Sequence, residues 1–259
     1  MSWKHQDKFA VVTGSAGIGL GVSQRLLTEG FGVVLCGVDE TDNAKAAKVT
    51  AGKPIKIVEL NVSQESAVQR FATELRDDID RLDALVNCAG IQPYGNVETT
   101  TPAAWQHVIG TNLTGYFHMA HFLYPLLKSS QTASIINIAS VQGHVNQRNV
   151  LGYATSKGAI HAFTRALAVD CAKDNVRVNS ISPGSIRTPL LEFAARELTP
   201  PGKDTEETLL SFGEANSIGR VGTVEEIGAL VTYLVSPESG FCIGGDFLID
   251  GGLKAKLGF

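Results

Sequence analysis

Phe9-Ala10-Val11-Val12-Thr13-Gly14-Ser15-Ala16-Gly17-Ile18-Gly19 passes from strand formers, through a glycine-rich turn, into an amphipathic run that ends at Gly30. Val11 and Val12 favour a pleated backbone. Ile18, Val22 and Leu26 recur every four residues, the spacing of one helix face. Gly14, Gly17 and Gly19 permit unusual backbone angles and let the chain approach a ligand closely. The helix that follows offers unpaired N–H groups and the positive end of its dipole to a phosphate. Strand, glycine turn and helix at the head of a βαβ unit predict a site for a dinucleotide.

The same alternation runs the length of the chain. Strand-like runs stand near 9–13, 32–36, 55–60, 83–87, 133–139, 176–182 and 246–250. Helical patterns fill about 17–29, 41–51, 64–79, 103–128, 152–174 and 223–235. This order predicts an α/β chain of right-handed βαβ units, with a mostly parallel sheet and helices on both its faces. At 259 residues the chain reads as one domain, residues 1–259. One segment breaks the rhythm. Residues 188–220 carry Pro189, Pro200-Pro201-Gly202 and the apolar Leu190, Leu191, Phe193 and Leu198. A long excursion within a domain reads as a functional loop.

Bulk properties exclude several classes. Lys and Arg number 22 against 26 Asp and Glu, a net charge of −4, which gives nucleic acid no footing. No stretch approaches the ~20 apolar residues that span a bilayer. Met1-Ser2-Trp3-Lys4-His5-Gln6-Asp7 lacks the apolar core of a signal peptide. Cys36, Cys88, Cys171 and Cys242 stand singly and read as buried, reduced thiols of a cytoplasmic protein. The histidines show no metal set: His118 and His121 share a helix face without a third ligand, so the expectation is no metal.

Three later segments carry chemistry. Ala84-Leu85-Val86-Asn87-Cys88-Ala89-Gly90 is a buried strand running into small residues that leave room for a flat ligand, with Asn87 placed to tie neighbouring strands. Ala133-Ser134-Ile135-Ile136-Asn137-Ile138-Ala139-Ser140 delivers a serine at a strand's carboxyl end, the edge where open α/β sheets bind ligands. Tyr153 and Lys157, four residues apart on a predicted helix, share one face. A free phenol titrates near ~10, and a fixed positive charge beside it is expected to lower that value. A drop of roughly 3 units corresponds to about 4 kcal/mol. The pair reads as a proton-transfer device for a hydroxyl or carbonyl.

Together with Asn112 in Gly110-Thr111-Asn112-Leu113-Thr114-Gly115, Asn179-Ser180-Ile181-Ser182-Pro183-Gly184 and Asp250-Gly251-Gly252, these segments resemble the short-chain dehydrogenase/reductase family over nearly the whole chain. The resemblance implies a Rossmann-like, doubly wound sheet of seven strands in the order 3-2-1-4-5-6-7. It implies a catalytic set of Asn112, Ser140, Tyr153 and Lys157. Tyr153 would exchange the proton, Ser140 would hold the substrate oxygen, and Lys157 would tune Tyr153 and bind the nicotinamide ribose. Asn112 would distort its helix to place a water. The cofactor would lie on Gly14, Ser15, Gly17, Ile18 and Gly19, then Asp39, Asn61 and Val62, then Asn87, Ala89 and Gly90. Pro183 and Gly184 would border it, Ile186 and Thr188 in the stretch that follows would hold its carboxamide, and residues 188–220 would close over the substrate as a lid.

Departures from the family pattern bear on the cofactor. Only Ser15 and Ala16 lie between Gly14 and Gly17, one residue short of the usual turn. Gly37 stands where NAD-preferring members carry Asp, and Val38 where NADP-preferring members often carry Arg. With no basic residue at either place, and with Asp39 and Glu40 beside them, NAD is expected rather than NADP. Asn61 replaces a usual Asp near the adenine and keeps its hydrogen-bonding capacity.

The polar run between Ser140 and Tyr153 suggests a hydroxyl-rich or anionic alcohol or ketone, such as a sugar, sugar acid or other hydroxy acid. Gln142, His144 and Arg148 are the candidate contacts, although a solvated loop fits the same residues. Two other readings stay open: an NADPH-dependent carbonyl reductase of the 3-oxoacyl type, and a non-catalytic dinucleotide-binding regulator. The expected partners are copies of the chain itself. Ala154, Ala159, Ala162, Ala166 and Ala168 suit close helix packing, and the resemblance implies a homotetramer joined in part by residues 243–259.

Overall fold

In a computed structural model of the protein, which describes residues 3–256, the strands assemble into one all-parallel sheet in the order β3-β2-β1-β4-β5-β6-β7. The strands are β1 (Lys8–Thr13), β2 (Phe31–Gly37), β3 (Ile55–Glu59), β4 (Ala84–Asn87), β5 (Ser134–Ile138), β6 (Arg177–Pro183) and β7 (Asp246–Ile249). The helices are α1 (Gly17–Thr28), α2 (Glu40–Val49), α3 (Glu65–Asp78), α4 (Pro102–Ile109), α5 (Gly115–Lys128), α6 (Leu151–Cys171), α7 (Pro189–Leu198), α8 (Thr205–Ala215) and α9 (Val224–Val235). The topology is the one the family resemblance implied.

Strand residues alternate between two apolar layers, as a pleat requires. Val11, Val34, Leu85, Ile135 and Val178 face the layer formed with Phe71, Leu75, Met119 and Leu123 of α3 and α5. Val12, Leu35, Val86, Ile136 and Ile181 face Val22 and Leu26 of α1 and Ile227 and Val231 of α9. Burial on both faces explains why these strands read as nearly unbroken apolar runs. Reversal of strand order beside β1 opens a crevice beyond the carboxyl ends of β1 and β4, the place where such sheets take ligands.

The helix expected over 103–128 is interrupted by a wider, π-helical turn at Gly110–Thr114, between α4 and α5, which is the local distortion the resemblance implied at Asn112. Another region differs from the sequence expectation. Residues 188–220 hold two helices rather than an irregular excursion. Pro189 opens α7 instead of blocking it, because the first helical residue needs no N–H. Thr188 caps that helix by accepting from Leu191 N, and Asp204 caps α8 by accepting from Glu206 N.

Cys36 and Cys171 are buried, but Cys88 and Cys242 are only partly so, and all four are free. No helix among the described residues is long and apolar enough to cross a membrane. Met1 and Ser2, and the last three residues of the 243–259 tail expected at a subunit contact, lie outside the described residues.

Candidate active site

A cleft of about 730 Å³ opens above the carboxyl ends of the strands. Its floor begins at β1. Thr13 Oγ1 accepts from Cys88 N at 2.9 Å and Ala89 N at 3.0 Å, binding the end of β1 to the segment that leaves β4. Gly14 turns with φ +91° and Gly17 with φ +51°, both left-handed and costly for a side chain. A Cβ on Gly19 would fall 2.0 Å from Gly14 O, so that glycine serves the packing of turn on helix. The first turn of α1 has no side-chain cap, which leaves its N–H groups for an acceptor in the cleft.

The short turn carries Ser15 onto the end of β2. A Cβ at Gly37 would meet Ser15 Oγ at 2.0 Å and Asn43 Oδ1 at 2.4 Å. Asp39 also lines the cleft, but its Oδ1 accepts from Asp42 N as the cap of α2. Asn61 directs its Oδ1 to Ser63 N and Ser63 Oγ. Among the described residues, Lys157 is the one Lys or Arg on the lining.

At the other end, Ser140, Tyr153 and Lys157 meet on one wall. Ser140 ends the segment after β5 and caps the next short turn by accepting from Gln142 N at 3.1 Å. Lys157 Nζ donates to Ile138 O at 2.8 Å, and Tyr116 Oη donates to the same carbonyl at 3.1 Å. The Lys157 ammonium lies 5.5 Å from the centre of the Tyr153 ring. Both groups are buried, at 3% and 6% exposure, and burial decides their titration. It pushes the Tyr153 phenol up to about 12, with the Ser140 hydroxyl working in the opposite direction. It pushes the Lys157 ammonium down to about 8. The expected lowering of Tyr153 is therefore corrected: desolvation of the buried phenolate sets the direction, and Cys88 and Tyr94 nearby add to it.

Asn112 sits in the π-helical turn, fully buried. Its Oδ1 accepts from Ile91 N at 2.9 Å, while Nδ2 donates to Ile91 O at 2.9 Å and Ser156 Oγ at 3.0 Å. It thereby locks the segment after β4 to the first turns of α6. A Cβ on Gly90 would lie 3.4 Å from Asn112 Oδ1 and 3.6 Å from Lys157 Nζ, so the bare backbone of Gly90 packs against both side chains. Asn87 Nδ2 donates to Asn137 Oδ1 at 2.9 Å, the tie between strands that was expected, and its own Oδ1 is buried without a partner.

Most of the expected site residues border the cleft: Gly14, Ser15, Gly17, Ile18, Asp39, Asn61, Val62, Ala89 and Gly90, with Ser140, Gln142, Tyr153, Lys157, Pro183, Gly184, Ile186 and Thr188. Gly19, Asn87 and Asn112 stand one layer behind that surface. His144 and Arg148 are outside the lining. His144 Nε2 is instead engaged with Asp246 Oδ2 at 2.7 Å, and Arg148 is exposed. The wall near Tyr153 is completed by residues that the sequence reading did not single out: Gln92, Asn146 and Gln147. No periodicity marks them, because they belong to irregular segments. Leu190, Leu191 and Ala194 of α7 and Phe212 of α8 form the facing side.

The residues present suit a dinucleotide: a glycine-lined cradle, an uncapped helix terminus, small residues at 89 and 90, and a proton-bearing pair at the far end. Comparison with known proteins agrees. A family model described as enoyl-(acyl carrier protein) reductase matches residues 12–254. L-fucose dehydrogenase of Mus musculus is 35% identical, over 99% of this chain and 91% of its own. The NADP-dependent (R)-specific alcohol dehydrogenase of Lentilactobacillus kefiri is 33% identical, over 99% of this chain and 100% of its own. The solved aldohexose dehydrogenase of Thermoplasma acidophilum superposes with a TM-score of 0.90 at 29% identity, covering 100% of this chain and 98% of that one.

Proposed function

The chain belongs to the short-chain dehydrogenase/reductase family, and from that premise we propose that it oxidises a sugar, sugar acid or other hydroxy acid with NAD. The coarser statement holds for the family and for this chain: an oxidoreductase that uses a nicotinamide cofactor and acts on a polar small-molecule alcohol or ketone. The observation that carries the redox chemistry is the placing of Ser140, Tyr153 and Lys157 on one wall of the cleft that begins at the glycine turn; the finer reading is supported by the cofactor end and the polar lining.

When bound, the nicotinamide supplies the hydride acceptor. The chain's own residues do the rest. The Ser140 hydroxyl holds the substrate oxygen and orients it. Tyr153 gives its phenol proton to the ketone oxygen in the reduction direction, and in oxidation its phenolate form takes the alcohol proton. Lys157 keeps a positive charge at the site in the protonated fraction and sits within reach of ribose hydroxyls. Asn112 holds Ile91 and Ser156 in place behind them. Gln142, Asn146 and Gln147 supply polar contacts to neighbouring hydroxyls of the substrate, and residues 188–220, with α7 and α8, form the lid over it.

For the cofactor, no Lys or Arg lines the Ser15 and Gly37 end of the cleft among the described residues, which supports NAD: a 2′-phosphate would face Asp39 and Asp42, and Lys45, outside the lining, is already paired with Asp42 at 3.5 Å. Self-association into a tetramer is the matching proposal for assembly. It is supported by Phe117, Val169, Phe241 and Ile243, which are exposed in the single chain.

Titrating NADH and NADPH side by side by fluorescence, then screening hydroxy sugars and acids in the oxidation direction, tests the reading. Tighter NADH binding and a polar alcohol substrate are expected. NADPH preference would put the carbonyl reductase first, and binding of neither would remove the enzymatic reading.

A further inference from the structure

Outside the cleft, three donors converge from segments far apart in sequence. His144 comes from the loop after Ser140, His161 from the middle of α6, and Asp246 from the start of the edge strand β7. One ligand atom from each lies within 4.8 Å of the others. His144 Nε2 is 2.7 Å from Asp246 Oδ2, and His161 Nε2 is 3.6 Å from Asp246 Oδ1. The two imidazole rings stack, with centres 4.3 Å apart and planes inclined by 29°.

The surroundings hold this group in place. Ser180 Oγ donates to Asp246 Oδ1 at 2.6 Å, and Ser182 Oγ lies 2.9 Å from each carboxylate oxygen. Ser182 Oγ is also 3.0 Å from His161 Nε2. The backbone is cleared for the cluster: a Cβ on Gly143 would fall 2.5 Å from His161 Cε1.

We propose that His144, His161 and Asp246 bind one divalent ion of the zinc type. Zinc bonds of about 2.0–2.1 Å to imidazole and about 2.0–2.2 Å to carboxylate, in tetrahedral geometry, place ligand atoms roughly 3.3 Å apart. The observed 2.7 Å and 3.6 Å stand on either side of that value. Two imidazoles with one carboxylate suit zinc or its neighbours, whereas calcium and magnesium ask for oxygen ligands throughout. Ser180 and Ser182 act as the outer partners that fix the carboxylate. The side chains of His144 and Asp246 keep 24% and 18% exposure, which gives the ion a path from solvent and leaves room for a fourth ligand from water or Ser182. In the sequence this set is invisible, because His144 and Asp246 are 102 residues apart.

The ion would act by position rather than by chemistry. His144 follows Gln142 in the segment that borders the cleft, and His161 lies one helical turn beyond Lys157. Joining them to β7 would clamp the substrate-facing loop onto the helix that carries Tyr153.

The test uses the full chain, stripped with a chelator, and titrated with Zn²⁺ by calorimetry and with Co²⁺ by visible absorption. One equivalent per chain, a raised Tm, and loss of affinity by more than roughly tenfold in both His144→Ala and Asp246→Asn are expected. Absence of stoichiometric binding, or binding equally tight in the two variants, overturns the proposal. Should Asp246→Asn fail to fold, His144→Ala, at a side chain on the rim, decides the matter alone.

Discussion

Ser15 Oγ occupies the space that a side chain at position 37 would need, 2.0 Å from where the Cβ of Gly37 would stand. With Asn43 Oδ1 also 2.4 Å from that point, the missing acidic residue at the end of β2 has a steric cause: only glycine fits at 37 beside Ser15.

It follows that Gly37→Asp, the change that family patterns would suggest for better NAD binding, works against it here. Overpacking of this kind costs about 1–3 kcal/mol, so NADH affinity should fall by roughly tenfold. The double variant Ser15→Gly, Gly37→Asp should regain part of the loss, since Asn43 Oδ1 still stands 2.4 Å from the new Cβ. Fluorescence titration with NADH reads both, and an unimpaired Gly37→Asp single variant would refute the steric account.

Tyr153→Phe should abolish turnover while leaving NADH binding nearly intact, because the phenol is needed for proton exchange and not for the glycine cradle. A variant that keeps more than roughly a tenth of the wild-type rate would remove the acid/base role. The same pair of proteins checks the titration. With Tyr153 pushed up to about 12, the wild-type-minus-variant phenolate absorbance of cofactor-free protein should show no ionisation below pH 10. A full phenolate signal near neutral pH would contradict this.

Lys157 gives a stability prediction whose sign is fixed by its burial. Its folded value is about 8, below the ordinary lysine value, so the folded state binds fewer protons between the two. Stability should therefore rise as pH climbs from 8 towards about 10.4, and below 8 the buried ammonium costs about 3 kcal/mol. Lys157→Met removes that cost. It does not orphan Ile138 O, which keeps the Tyr116 hydroxyl. Urea unfolding should find the inactive variant at least as stable as wild type at pH 7, with the advantage gone by pH 10. A variant clearly weaker than wild type at pH 7 would show that the charge is stabilised by something else.

Asn112→Ala should destabilise the protein by about 2–3 kcal/mol, because it leaves the Ile91 N–H and C=O without their partner in a buried setting. Activity should fall further than stability alone explains, since α6 and the segment after β4 lose their common tie. Denaturant unfolding and kcat, measured together, separate the two effects. An unchanged kcat in a destabilised variant would leave Asn112 a structural role only.

The strands were legible to within a residue or two, because a parallel strand buried on both faces must be a short apolar run ended by small or polar residues. Tyr153 and Lys157 were legible because their relation is local, one helical turn. What could not be read depends on distance. The upward shift of Tyr153 comes from burial supplied by several elements. His144 looked like a substrate contact until Asp246, on the far edge of the sheet, was seen to hold it. The helices α7 and α8 were hidden by prolines that start or flank a helix rather than stop one. The spatial meaning of Gly37 required knowing where Ser15 comes to rest.

Within Gly110–Thr114 the helical turn is wider than an α-turn, and it sets the phase of everything that follows. Each residue added or removed there would rotate α5 by about 100° about its axis. In the present phase Gly115 lies against Val62, where a Cβ would come within 2.6 Å of Cγ2, and Met119 and Leu123 face the sheet. Deleting one residue would leave composition and helix propensity almost untouched, yet swing that apolar stripe away from its seat. The segment works as a vernier: its length keeps helix and sheet in step, so that, Asn112 apart, variation there should be admitted by substitution and refused by insertion or loss.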